Sequence, residues 1–576
     1  MKGGETAVAE LECSPYAVGH ADEGTCLLVQ MGPHRVLLDC GLEDISPLLQ
    51  RPTNSVPADL VFCSHAHSDH AYGLLDLHRA FPDLPIYASE VTASLLPLNW
   101  LGQDVPQFCQ TLPWRSPVQL ADDLTLQIWP SGHLPGAASV LLTYTGGQRT
   151  YTIFYTGDFL LSNSRLVEGL PLDELRGLNP DVLIVEGTYG TARHPRRRQQ
   201  ENALADKINQ AIARGQSILL PSPTLGLGQE LLMLLRSHHH FTGRDINIWV
   251  DGTVAIGCDA YLDLLPYFPN TVQNFARHQP LFWDERIRPH VRRLPPGEEL
   301  NMTDLSAHSD APCIVLTDKR SDFRCYCHSG TGRWLLLLAQ KPGQMSTVET
   351  AAYEQIQAAP ELQAQIQAGQ LDIDSYLLGD HCDGAGTLQL IHNVRPQHVV
   401  FVHGSPTYLT DLTSLEELQS RYQLHLPTAE TRIELTIGDT FIQPAPPETH
   451  YEGELTELKT TVLITMNKAI ASDPRWKQFA DTGLVEARWQ GDDLVLRGLQ
   501  QRELLNQADS MSPSAQVECC DNCSFYRGQR CWNQASPLFG FKVTPEGYCP
   551  AFRSAYLPAE EESDPAGQAD EVPRDR

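Results

Sequence analysis

The stretch C-S-H-A-H-S-D-H, residues 63–70, decides how the rest of the chain is read. His65, His67, Asp69 and His70 fall within six residues. They follow the apolar run D-L-V-F (59–62) and lead into a helical pattern that begins at about Asp69. A strand end meeting a helix start turns all four side chains into one crevice. Imidazole nitrogen and carboxylate oxygen suit zinc or another borderline divalent metal. The alternative is a bare polar loop, but free histidines rarely crowd this densely without an ion.

Upstream, R-V-L-L-D-C-G (35–41) is another short apolar strand ending in polar residues, and residues 1–187 read as such strands divided by turns. The texture changes at about 188. An amphipathic helix over 199–213, a strand over 217–221 and a helix over 228–236 indicate an α/β layer with a mainly parallel sheet. Near 379 the first texture returns, with a helical stretch at 384–393 and the strand Q-H-V-V-F-V-H-G (397–404). The sequence P-A-P-P (444–447) then leads into a smaller α+β segment.

At 576 residues the chain holds about four domains' worth of sequence at roughly 150 residues each. Hydrophobic residues at 41% and charged residues at 20% are ordinary globular usage and exclude wholesale disorder. No apolar run approaches the ~18 residues needed to span a bilayer, and the first residues lack a secretory pattern. The expectation is a soluble cytoplasmic protein with no membrane association. Its 71 acidic against 42 basic residues, a formal charge of −29, exclude a protein that coats nucleic acid by charge alone. They leave room for an enzyme with a small basic entrance. Fifteen cysteines without a signal sequence indicate thiols or metal ligands rather than disulfides.

The motif at 63–70 resembles the H-x-H-x-D-H signature of the metallo-β-lactamase fold family, and further family motifs follow in order. Asp39 in V-L-L-D-C-G matches a buried aspartate that orients the ligand loop. His133 in S-G-H-L-P-G-A-A-S matches a third histidine, and Asp158 in Y-T-G-D-F a carboxylate shared by two metals. The resemblance implies that His65, His67 and His133 hold one zinc ion, Asp69 and His70 a second, with Asp158 between them. A second layer is similar to the β-CASP branch, which processes nucleic acids. V-E-G-T-Y-G (185–190) resembles its motif A, S-I-L-L-P-S-P-T-L-G-L-G-Q-E-L-L (217–232) its inserted strand–turn–helix, and H-V-V-F-V-H-G-S (398–405) its motif C. That last match implies that His403 is a further ligand of the second metal and that the substrate is RNA.

The implied fold is α/β: an αββα metallo-β-lactamase sandwich with an inserted β-CASP α/β domain. Its first part spans 1–187, the β-CASP domain 188–378 and the second part 379–440. A small α+β domain at 441–510, a cysteine-rich metal-binding segment at 511–556 and an acidic tail at 557–576, expected to be disordered, complete the chain. Two departures from the family pattern stand out. Leu227 replaces the arginine usual in L-G-R-x-Q-E, and D-K-R-S-D-F (318–323) replaces a Gly-Met loop after the strand P-C-I-V-L-T.

Two divalent ions roughly 3.5–4 Å apart activate water and stabilise both oxygens of an in-line displacement at phosphorus. The leaving oxygen still needs a proton, and a histidine held against Glu186 can supply it. Two histidines compete for that part. His308 in D-L-S-A-H-S-D-A (304–311) has the more familiar letters. His381 in L-L-G-D-H-C-D-G (377–384) lies 22 residues before His403, the length of one helix and a returning strand. A βαβ step would put both at one sheet edge, so His381 is the expected donor. With Glu186 and Asp69 it completes the candidate catalytic set.

The densest basic patch is Arg193, Arg196, Arg197 and Arg198, just after motif A, readable as a phosphate guide or a solvated surface run. Near the C-terminus, Cys520, Cys523, Cys531 and Cys549 offer four thiolates for a structural zinc or a 4Fe–4S cluster. The expected function is thus a two-zinc ribonuclease acting on single-stranded RNA, with oligomeric state left open. A hydrolase of a small ester, or a binding subunit with a weakened site, are the alternatives.

Overall fold

A computed structural model describes residues 11–437 apart from 21–22, 50–55, 147–148, 295–311, 328–331, 342–344 and 430, together with a few strands beyond. The chain divides into two compact units, Met1–Pro447 and Glu448–Arg576. In the first unit, seven strands form one sheet: β1 (Leu11–Val18), β2 (Thr25–Met31), β3 (His34–Leu38), β4 (Leu60–Phe62), β5 (Ile86–Ser89) and β6 (Cys109–Leu112), with β20 (Ile433–Glu434) beside β1. The second sheet holds β7 (Val118–Ala121), β8 (Leu124–Pro130), β9 (Ala138–Gly146), β10 (Arg149–Tyr155), β11 (Val182–Glu186), β18 (His398–Val402) and β19 (Gln423–His425), in the order β19-β18-β11-β10-β9-β8-β7.

These two sheets share one core. Val29, Val36, Leu38 and Phe62 from the first meet Ile128, Val140, Ile153, Val182 and Val400 from the second, all fully buried. Alternation within β11 and β18 shows why both strands read as unbroken apolar runs. Val182, Ile184, Val400 and Val402 face the other sheet. Leu183, Val185, Val399 and Phe401 face the helices Gly384–Val394 and Pro406–Thr413 through Leu390, Ile391, Leu409 and Leu412. With both faces covered, no polar alternation survives. The helix Leu74–Ala80 covers the outer face of the first sheet, which gives the αββα order.

Between β11 and β18, which pair in parallel with Glu186 opposite Val402, the chain builds a third sheet. It comprises β12 (Gln216–Ser222), β13 (Asn247–Val250), β14 (His290–Arg293), β15 (Ile314–Asp318), β16 (Arg333–Ala339) and β17 (Leu371–Tyr376), ordered β14-β13-β15-β12-β16-β17. Every pair in it is parallel. Helices Arg197–Ala213 and Leu227–Ser237 cover one face, and Thr347–Ala358 and Pro360–Gln367 the other. One expectation fails here. The strand before His381 is β17 of this third sheet, so the segment to β18 bridges two sheets and is not a βαβ step within one. The reason is that Leu371–Tyr376 pairs with β16, at the far edge of the inserted sheet.

In the second unit, β21 (Gly453–Leu458) pairs with β22 (Thr461–Met466), and β23 (Val485–Gln490) with β24 (Asp493–Gly498), both as antiparallel hairpins. Helices expected in this segment fall outside the described residues, as do Cys520, Cys549 and the acidic tail. Cys523 is half-buried, and Cys531 is buried in a short hairpin with Tyr526. No helix among the described residues is long and apolar enough to cross a membrane.

Gly41 lets the end of β3 touch the ligand loop. A Cβ there would lie 1.8 Å from the Asp69 carbonyl oxygen. Backbone cannot yield as a side chain does, so Gly41→Ala is expected to cost at least about 1–3 kcal/mol, the overpacking range, and to loosen metal binding. A denaturation midpoint and metal content equal to wild type would contradict this.

Candidate metal centre

The carboxyl ends of β3, β4, β10, β11 and β18 all open on one crevice between the first two sheets. This is where open α/β sheets place their ligands. Asp39 follows β3, His65 to His70 follow β4, Asp158 follows β10, Glu186 ends β11, and His403 follows β18. His133 arrives from the loop after β8. Two of these residues hold left-handed backbone conformations that non-glycine residues seldom adopt, Asp39 at φ 59° and His403 at φ 50°. Both are over-determined by hydrogen bonds. The Asp39 N–H donates to the Phe62 carbonyl (2.8 Å), and that of His403 to the Val18 carbonyl (2.6 Å).

Asp39 is wholly buried and ties the ligand loop together. Its carboxylate accepts from the Ser64 N–H (2.6 Å), the Ser64 hydroxyl (2.8 Å), the Tyr155 hydroxyl (2.6 Å) and His70 Nδ1 (2.8 Å). Burial would lower the pKa of His70, but the Asp158 and Asp39 carboxylates outweigh it and raise that pKa well above the usual value. The hydrogen bond to Asp39 occupies Nδ1, and Nε2 faces the crevice and Asp158.

Three imidazoles meet there. His67 Nδ1 lies 3.2 Å from His65 Nε2 and 3.0 Å from His133 Nε2. Burial and the neighbouring imidazoles keep His65 and His67 neutral, with His67 lowered to about 4. His133 donates its Nδ1–H to the Asp380 carbonyl at 2.8 Å, so its Nε2 presents a lone pair. With His67 in the Nε2–H tautomer, three lone pairs converge at 3.0–3.2 Å, an arrangement that a cation among them stabilises. The separation also fits the edge of a tetrahedron built on Zn–N bonds of about 2.0–2.1 Å, roughly 3.3 Å.

Asp158 sits at the middle. Its Oδ2 lies 3.6 Å from His65 Nε2, 3.7 Å from His133 Nε2 and 3.4 Å from His70 Nε2, while Oδ1 lies 3.5 Å from His403 Nδ1. Asp158 Oδ1 and His70 Nε2 are buried with no hydrogen-bond partner, a costly arrangement that a metal would relieve. Among the ligand groups of the described residues, two hold the residues of the H-x-H-x-D-H stretch: His65, His67, His133 and Asp158, and beside it half-exposed Asp69 with His70 and His403. The donor set fits two divalent ions.

His381 stands against this centre. Its Nδ1 lies 3.0 Å from Glu186 Oε1, and Glu186 also accepts from the Phe159 and Thr188 N–H groups at 3.2 and 3.1 Å. Burial would lower the pKa of His381, but Glu186, Asp380 and Asp158 together raise it to about 9. His308 lies outside the described residues.

Three contributors escape motif reading. Asp380 orients His133 through its carbonyl, Tyr155 anchors Asp39, and Thr188 faces His403 Nδ1 at 2.9 Å. All three lie inside stretches quoted above, Y-T-G-D-F, V-E-G-T-Y-G and L-L-G-D-H-C-D-G, at letters that carry no motif role of their own. The four arginines of the basic patch differ in their surroundings. Arg193, Arg196 and Arg198 are exposed, but Arg197 binds Glu230 (3.2 Å), Glu201 (3.6 Å) and the Gly379 carbonyl. Through these contacts Arg197 braces the inserted sheet against the His381 loop.

A family model described as a Beta-lactamase superfamily domain matches residues 34–214. An uncharacterized protein of Synechocystis sp. is 48% identical over 558 residues, covering 95% of this chain and 98% of its own. A probable RNase of Methanocaldococcus jannaschii is 31% identical over 252 residues, 40% of this chain and 56% of that protein. Integrator complex subunit 11 of Danio rerio is 23% identical over 443 residues, 69% of each chain. With its two facing sheets, its inserted parallel sheet and this histidine–aspartate crevice, the chain belongs to the metallo-β-lactamase family, in its β-CASP branch.

Proposed function

We propose that the protein is a hydrolase that cleaves phosphodiester bonds in single-stranded RNA with two zinc ions. The carrying observation is the Asp158 carboxylate, which lies between two adjacent groups of histidine and aspartate ligands, Oδ2 facing His65, His133 and His70 and Oδ1 facing His403. A relative named a probable RNase supports RNA as the substrate class. In this reading His65, His67 and His133 hold one ion, Asp69, His70 and His403 the other, and Asp158 bridges. Two divalent ions supply Lewis-acid stabilisation of phosphoryl oxygens and make water a better nucleophile at neutral pH.

The chain's own residues do the rest. Asp39 fixes the tautomer of His70 by accepting its Nδ1–H, which leaves Nε2 for metal. Asp380 does the same for His133. His381 keeps its Nδ1–H on Glu186 and delivers a proton from Nε2 to the leaving ribose oxygen. We also assign a separate metal, zinc or a 4Fe–4S cluster, to Cys520, Cys523, Cys531 and Cys549.

Elemental analysis combined with cleavage of a single-stranded RNA tests the reading. The expected result is two zinc equivalents at the catalytic site plus a third metal equivalent or stoichiometric iron and sulfide. RNA cleavage should vanish in Asp69→Ala. An intact protein that binds two zinc ions and cleaves no RNA would refute the substrate.

A further inference from the structure

The carboxyl edge of the inserted parallel sheet faces the metal crevice, and two lysines stand on it that no motif singles out. The central strand at that edge is β12, and its following turn reaches the site. A Cβ at Gly226, where φ is +89°, would lie 3.7 Å from His67 Nε2. Strand β15 flanks β12 on one side and β16 on the other. Lys319 directly follows β15, and Lys341 follows β16 by two residues. At a strand spacing of about 4.8 Å, their backbones emerge roughly 10 Å apart, either side of the turn that touches His67.

Their charged surroundings distinguish the two. Asp69 and Asp318 act on Lys319, with Arg320 and Lys341 as repelling neighbours. Lys341 acts on Asp380, beside His133 and His381. Lys319 Nζ donates to the Thr347 hydroxyl at 3.1 Å. Among the described residues neither ammonium has a carboxylate within ion-pair distance, whereas Arg165 and Arg197 deeper in the domain are both paired. Mutually repelling cations left without close counter-ions at the mouth of a metal site favour an anionic ligand that spans them.

We propose that Lys319 and Lys341 form a phosphate bracket. Their ammonium groups hold backbone phosphates on opposite sides of the scissile one, Lys319 toward Asp69 and His403, Lys341 toward His133 and His381. The bracket rests on the phosphodiesterase reading above. It supplies at short range the attraction that a chain of net charge −29 cannot supply at long range. It also places substrate recognition on the segment D-K-R-S-D-F.

Lys319→Gln, Lys341→Gln, the double variant and both Lys→Arg variants test it, with zinc-loaded protein. Two substrates are compared: a single-stranded RNA oligomer, and bis(4-nitrophenyl) phosphate, a diester without neighbouring phosphates. Each Gln variant is expected to raise KM for RNA on the order of 3–10-fold and to flatten the log–log salt dependence of RNA binding by about 0.7. The double variant should lose roughly tenfold more activity on RNA than on the small diester, and the Arg variants should recover most of it. Wild-type KM for RNA in the double variant would overturn the bracket. Equal losses on both substrates would overturn it too, by showing a structural role. A wild-type protein that hydrolyses neither substrate would instead bring down the phosphodiesterase reading, and the bracket with it.

Discussion

Asp158→Asn is expected to lower phosphodiester hydrolysis on the order of 10³–10⁴-fold, the several kcal/mol of transition-state stabilisation that a metal pair supplies. The same substitution should release more metal than loss of an outer ligand such as Asp69 does. The asymmetry follows from position. Asp158 Oδ2 faces His65, His70 and His133, while Oδ1 faces His403. Asp69 belongs to one group, with His70 and His403, the latter at 3.4 Å. An amide keeps the shape of the carboxylate but removes the charge that offsets two dications. Because the Asp158 carbonyl, which accepts from the Ser131 hydroxyl at 2.7 Å, is untouched, the fold should persist. Circular dichroism checks that, and elemental analysis reads the metal. Two full equivalents in a folded Asp158→Asn protein would refute the bridging role.

His381→Ala should cut the cleavage rate on the order of 10²–10⁴-fold with metal content unchanged, the range for a lost general acid. His308→Ala should change the rate little. Glu186→Gln tests the partnership from the other side. The Glu186 carboxylate helps to raise the pKa of His381, and a donor must be protonated to act. Neutralising Glu186 lowers that pKa, so the alkaline limb of the pH–rate profile should move to lower pH while the acid limb stays. A rate that depends on His308 and ignores His381 would reassign the donor.

Local chemistry made much of this protein legible before any fold was known. His65, His67, Asp69 and His70 are close in sequence, so backbone connectivity alone delivers them to one place. The strands ending at Asp39, Glu186 and His403 announce themselves because burial on both faces demands unbroken apolar runs such as V-L-I-V and H-V-V-F-V. The helices at Arg197–Ala213 and Leu227–Ser237 begin and end within two residues of their expected bounds because helical periodicity repeats over several turns.

What sequence did not determine depends on contacts between distant segments. The strand before His381 reads like any other, and only its pairing with β16 assigns it to the inserted sheet. Arg197 looks like its neighbours in the arginine run. Glu230 and the Gly379 carbonyl, brought in by a second helix and a loop, hold it half-buried beside its own helix neighbour Glu201. Lys319 and Lys341 lie 22 residues apart with nothing in common along the chain. Parallel pairing of β15 and β16 on either side of β12 sets them at one edge. Periodicity and metal-ligand spacing are written locally, whereas the partner of a charge is set by which strands and helices pack together. That is a property of the tertiary fold.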